Sequence, residues 1–188
     1  FYEAQPDIQI EMSAASGLID FDRDETDMAV YFGNGEWAGI EVQLLRHYQQ
    51  VPVCNPELLN GKEINSPSDL LNYTLLHIPK RKDEWQRWFT QVGATYKESK
   101  RGLYLSSGSL TTSAAINGLG FALADIGFVS EEIANGKLIA PLDEFLITEK
   151  SFYLVHQKKR ALTYPMKAFQ SWVTNEMIKD IASQKEEK

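Results

Sequence analysis

Residues 106–125 read SSGSLTTSAAINGLGFALAD, and within them Ser106, Ser107, Ser109, Thr111, Thr112 and Ser113 crowd six hydroxyls around the head of a small-residue helix. The first turn of a helix leaves backbone N–H groups unpaired and carries the positive end of the helix dipole, so such a terminus can hold an anion or the polar end of a small ligand. The same hydroxyls can also act only as caps, for which one side chain suffices. Both readings stand at the level of sequence, and the place of this helix in the fold decides between them.

Other chemistry-bearing patterns fail on their own requirements. In DFDRDETD, Asp20, Asp22 and Asp24 fall on the first, third and fifth positions of a calcium loop, but the sixth is Glu25 where Gly is needed and the twelfth is Tyr31 where a bidentate Glu is needed. A solvated turn ahead of a strand is expected there. Gly118 and Gly120 form a GxG that follows a helix, the reverse of a dinucleotide-binding turn. His47, His77 and His156 are too scattered for a zinc set, and Cys54, the single cysteine, excludes an intrachain disulfide. The triplet Asn72, Tyr73, Thr74 matches a glycosylation acceptor by chance. No enzyme motif emerges, and neither a cofactor nor a metal site is expected.

The elements that must position the hydroxyl run alternate between strand and helix. FYEAQ reads as the last turn of a helix stopped by Pro6, IQIEMSA from Ile8 as a strand, Asp27–Phe32 as a buried strand closed by Gly33, and Ile40–Cys54 as a long extended segment. Ser66 and Pro67 open a short helix leading to the strand Thr74–Ile78. Asp83 heads an amphipathic helix with Trp85, Trp88, Phe89 and Val92 at i, i+3, i+4 and i+7, ended by Gly93. A strand Gly102–Leu105, the helix Ser109–Asn117 stopped by Gly118, and a strand Leu119–Ala124 follow; Ser151–His156 is a late strand. Thr163 and Pro165 begin a final helix carrying Met166, Phe169, Trp172 and Val173. The alternation predicts an α/β chain with largely parallel sheets and ligands at the carboxyl ends of strands.

Composition narrows the function. At 188 residues, 43% apolar and 24% charged, the chain can bury a core as one large domain or two small lobes. No apolar run is long enough to span a bilayer and the first residues lack a signal-peptide layout, so a soluble, cytoplasmic protein without membrane partners is expected. With 19 basic and 26 acidic residues, net −7, the chain by itself repels a nucleic-acid backbone. Lys80, Arg81, Lys82 and Lys158, Lys159, Arg160 are short enough to be solvated loop charges.

In order and spacing, DMAVYFGNGEWAG, PVCNPELL, SPSDLLNYTLLH, DEWQRWFTQVG, SAAINGLGFAL and AFQSWV resemble the effector-binding domain of LysR-type transcriptional regulators. The likeness covers essentially the whole chain and is nearest to the branch that holds the glycine-cleavage activator and the β-lactamase regulator. It implies a two-lobed fold of the type II periplasmic-binding-protein kind, lobe I being residues 1–52 and 147–188 and lobe II residues 53–146, with crossovers near Val51–Pro56 and Ala140–Lys150. It also implies a winged helix-turn-helix ahead of Phe1 that is absent from this chain. A small metabolite would bind in the inter-lobe cleft, and the regulator would meet promoter DNA, with RNA polymerase as a further candidate partner, through segments outside this chain.

Carried over residue by residue, the resemblance nominates Ser107, with Ser106 and Ser109 beside it, and Asp20 as effector contacts. It adds Phe32, Gly33 and Asn34 as one wall, His77 at a strand end of the second lobe, and Phe152 in the late strand. It further implies a homodimer or tetramer in which helix 109–117 meets residues 1–14 of a partner, with Ala114 and Ala115 allowing close approach. Two departures stand out: Tyr31 occupies a position where the branch often has Arg, so a positive charge is missing, and Phe152 replaces a tyrosine. The effectors of the nearest relatives therefore do not transfer. The rival reading is a free-standing solute-binding protein of a transporter, because the fold is shared and fold does not fix function.

Overall fold

A computed structural model describes residues 1–15, 17–97 and 102–177, and the helical backbone of residues 178–186. The chain divides into two compact units, residues 1–48 with 148–188 and residues 49–147. The chain passes from one to the other inside two long strands, β2 (Ile40–Val53) and β6 (Leu146–Gln157).

In the first unit, β1 (Ala29–Gly33) pairs antiparallel with β6, Phe32 opposite Phe152 and Gly33 opposite Ser151. The hydrophobic run DMAVYF forms this strand as expected, and Gly33 closes it because the ring of Trp37 lies where a β-carbon would stand, 2.8 Å away. The final helix, α4 (Tyr164–Glu186), carries Phe169 and Trp172 on one face. Phe1 packs against both, its ring centroid 5.6 Å and 5.4 Å from theirs. Met166 and Val173 of the same helix are buried. The strand expected from Ile8 does not form: residues 8–14 enter no ladder among the described residues. Alternating side chains define a strand only where a neighbouring backbone supplies hydrogen bonds.

In the second unit, α1 (Glu84–Gln91) buries Trp85, Trp88 and Phe89. Both indole N–H groups are satisfied inside, Trp85 Nε1 donating to Leu76 O at 2.9 Å and Trp88 Nε1 to Glu144 O at 2.8 Å. Asp83 stands at the N-cap position, but its side chain makes no capping bond. Strands β3 (Leu75–His77) and β4 (Gly102–Tyr104) run parallel, whereas β5 (Ala122–Asp125) is antiparallel to the end of β2. The largely parallel sheet is thus a correction. Strands that carry the chain back through a unit already built can pair in the opposite sense, and β2 and β6 are such strands.

Helix α2 (Gly108–Ile116) ends at Gly118, whose φ of +73° suits glycine. The carbonyls left over at its end are taken up by Asn55, whose N–H reaches Ala115 O at 3.2 Å and whose Nδ2 reaches Ile116 O at 2.7 Å. A helix not foreseen from the sequence, α3 (Ile126–Ala134), starts at Asp125, which accepts from Gly127 N at 3.1 Å and from Gln49 N at 3.1 Å. No described helix is long and apolar enough to cross a membrane.

Candidate functional site

The nominated effector contacts other than Asp20 fall into two groups, one on each unit. On the second unit, β3 and β4 end side by side: Leu105 N donates to His77 O at 2.8 Å, and the chain turns at Ser106 straight into α2. Ser107 is the N-cap, extended at φ −150° and ψ 162°, and its Oγ accepts from Leu110 N at 3.3 Å. Thr111 is buried, its hydroxyl bonded back to Gly108 O at 2.8 Å. Ser106 and Ser109 are exposed. The run therefore separates into one cap, one internally bonded hydroxyl and exposed ones on either side of the cap.

His77 is 4% exposed and stacks on Tyr104, centroids 4.9 Å apart at 22°. Gly102 is what admits the stack, since a β-carbon there would lie 3.1 Å from both rings. The sequence missed the cation at this corner. Arg81, read as a solvated loop charge, lies with Nη2 3.4 Å from the point a β-carbon on Gly108 would occupy, at the first turn of α2. Its Nη1 meets Glu84 Oε1 at 3.1 Å. Burial pushes the Glu84 carboxyl above its ordinary range, against the pull of Arg81. The corner thus offers a helix terminus, exposed hydroxyls and a guanidinium held by a carboxylate.

On the first unit, Phe32 and Phe152 come together, ring centroids 4.9 Å apart, with Tyr48 4.9 Å from Phe32 and 5.9 Å from Phe152. Phe32 is 42% exposed. Two cations approach these rings: Arg46 Cζ lies 5.0 Å from the Phe152 ring centre and Lys150 Nζ 5.8 Å from that of Phe32. Neither cation could be found from sequence, because only the strand register brings positions 46 and 150 to rings at 152 and 32. Asn34 is exposed just past β1.

Asp20 does not join the aromatic cluster by any described contact. It opens an exposed turn, accepting from Asp22 N at 3.2 Å and pairing with Arg23 at 3.5 Å. The solvated turn expected of DFDRDETD is what forms, and no group of three His, Cys, Asp or Glu side chains among the described residues could hold a metal. Arg160, also taken for a solvated charge, pairs with Asp27 at 2.7 Å. Ala114 and Ala115 are 7% and 0% exposed and pack inside the second unit with Val53, Leu76 and Val129. Ser109, Leu110, Ser113 and Asn117 form the exposed face of α2 instead.

Comparison with known proteins agrees with this architecture. The glycine cleavage system transcriptional activator of Escherichia coli K12 is 34% identical over 174 residues, 92% of this chain and 57% of the relative. The transcriptional activator AmpR of Citrobacter koseri is 28% identical over 173 residues, 92% of this chain and 59% of that one. The chain therefore spans a little over half the length of these relatives. Among solved structures, the effector domain of AmpR from Pseudomonas aeruginosa superposes with a TM-score of 0.78 at 27% identity, covering 97% of this chain and 87% of that one. The AmpR effector-binding domain of Citrobacter freundii gives 0.78 at 24%, covering 95% and 88%, and speaks for the fold alone. The fold is that of the type II periplasmic-binding proteins. The model of the LysR substrate binding domain matches residues 1–178, and the chain belongs to that family.

Proposed function

We propose that this chain is the sensing part of a LysR-type transcription factor, binding a small-molecule effector and passing its occupancy to promoter DNA through segments that lie outside the chain. The carrying observation is the corner of the second unit, where exposed hydroxyls and the Arg81 guanidinium surround the first turn of α2 at the ends of two parallel strands. Ligands of open α/β sheets favour such strand ends, and a helix start supplies donors to a polar or anionic group. Ser106, Ser107, Ser109 and His77 are the proposed contacts there; Phe32, Gly33, Asn34 and Phe152 are those of the first unit. Asp20, exposed and paired with Arg23, is a further proposed contact of the first unit.

The two units, taken as lobes, would respond to effector by a shift between arrangements, which requires that the ligand favour one of them. A homodimer or higher assembly, formed through the exposed face of α2 and a partner's first residues, would transmit it. The relatives named above are transcriptional activators, which favours this reading over a transporter's solute-binding protein. The test is selection of bound sequences from genomic fragments with the protein of the complete reading frame, with and without fractionated cell metabolites. Selected DNA whose occupancy or footprint changes with one fraction supports the proposal. Absence of any selected sequence overturns it.

A further inference from the structure

We propose that Gln50 and Glu84 form a carboxamide–carboxylic acid pair, Glu84 keeping its proton in the native state, and that loss of this proton tightens the hold on Arg81 at the start of α2. The second half rests on the effector-binding reading above and adds to it a proton-dependent control; the pair itself does not depend on that reading. Gln50 lies on β2 as the second residue of the second unit and is 1% exposed. Its Nε2 donates to Leu123 O at 3.3 Å, which fixes the sense of the amide, and its side chain also hydrogen-bonds the Glu84 carboxyl. Its Oε1 is buried and receives no hydrogen bond from any described residue.

One proton accounts for all of these atoms. A primary amide has two N–H donors and a carbonyl acceptor, whereas an ionised carboxylate has acceptors only. With Glu84 ionised, the Gln50 donors are used on Leu123 O and on Glu84, and Oε1 stays buried with no donor facing it, an unfavourable arrangement. With Glu84 protonated, the carboxyl offers C=O to the amide N–H and O–H to Oε1, edge to edge, and every polar atom of Gln50 is satisfied. The surroundings divide. Burial, with the Glu84 side chain 12% exposed, is the chief influence and favours the neutral acid; Arg81 and the Gln50 N–H favour the anion, and Asp83 the acid. The first turn of α1 also favours the anion. Asp125 of β5, opposite Gln50, is engaged with Gln49 N and Gly127 N, and His77 of β3 stacks on Tyr104. A Glu84 that ionises therefore turns its new charge on Arg81, whose Nη1 is 3.1 Å from Glu84 Oε1 and whose Nη2 stands at the first turn of α2.

The competing account is that Glu84 is an ordinary carboxylate and a water molecule donates to Gln50 Oε1. A pH titration of the full chain, labelled with 13C and 15N and followed by NMR at Glu84 Cδ, Gln50 Cδ and the Arg81 Nη atoms, separates the two. The exposed glutamates are expected to ionise first. Glu84 Cδ should follow at higher pH, Gln50 Cδ should shift with the same midpoint, and rotation of the Arg81 guanidinium should slow through it as the charged pair forms. Glu84→Gln presents the same C=O with an N–H in place of the O–H, so the Gln50 and Arg81 changes should vanish in that variant. The parent titration decides the pair without it. Ionisation of Glu84 together with the exposed glutamates, or a Gln50 Cδ that does not follow Glu84, overturns the pair whatever the protein binds. A pair that titrates while Arg81 is unaltered overturns the control at α2 and leaves the effector-binding reading in place, and failure of the DNA selection above leaves the pair in place.

Discussion

Ser107 Oγ accepts the N–H of Leu110 at 3.3 Å, which makes the serine the N-cap of α2 while exposed Ser106 and Ser109 flank it. Cap and contact are therefore not exclusive: the oxygen has a second lone pair, and the hydroxyl still has a proton to donate. Ser107→Ala is expected to lower stability by about 1 kcal/mol through the lost cap, whereas Ser107→Gly costs only a few tenths. Urea melts of the two variants check this. Equal stability of Ser107→Ala and the parent would remove the cap from the account.

Glu84 gives the second unit a pH dependence of stability. Its carboxyl is pushed above the ordinary value of 4.5, first by burial and with Arg81 opposing. A raised folded value means that the native state holds the proton more tightly than the unfolded chain. The stabilisation is complete below 4.5 and is lost as pH rises through the folded value. Asp69 works in the other direction, because hydrogen bonds from Asn65 N and Ser66 hold its carboxyl low, and its contribution is lost as pH falls. Glu84→Gln should flatten the decline on the rising side and leave the acid side unchanged. An unaltered pH profile in that variant would contradict the assignment.

Gly120 marks a close approach that no other residue tolerates. Its φ is +154°, and a β-carbon there would lie 2.3 Å from Thr74 O, in the stretch where Phe121 N donates to the same carbonyl at 2.9 Å. Gly120→Ala is expected to cost about 3 kcal/mol through backbone strain and overpacking. Gly17, with nothing within 4 Å of its would-be β-carbon, provides the control, and Gly17→Ala should change the melting temperature little. The outcome is read by thermal melts of both.

Much of the fold was legible because local signals agreed. The i, i+3, i+4 pattern of Trp85, Trp88 and Phe89 fixed both a helix and its buried face, and Gly93 and Gly118 stopped helices where they were expected to, at φ +71° and +73°. What escaped depends on partners distant in sequence. The Ile8 segment alternates as a strand does but has no ladder among the described residues, and Arg46 and Lys150 acquire meaning only from the register of β1, β2 and β6. Arg81 was misjudged because a three-residue basic cluster carries no sign of which member turns inward. Ala114 and Ala115 pack in the core of the second unit, a place that small residues suit as well as they suit a helix–helix approach.

Contact between the start of α2 and a small-molecule effector is tested by Ser107→Gly, which removes the hydroxyl at little cost to the helix start. The full chain is screened by thermal shift against a metabolite library, and the affinity of each stabilising compound is then measured on the parent and on Ser107→Gly. At least one compound is expected to lose affinity about fivefold, roughly 1 kcal/mol for one lost hydrogen bond, while the ligand-free melting temperature barely moves. Stabilising compounds that bind Ser107→Gly as tightly as the parent would contradict it.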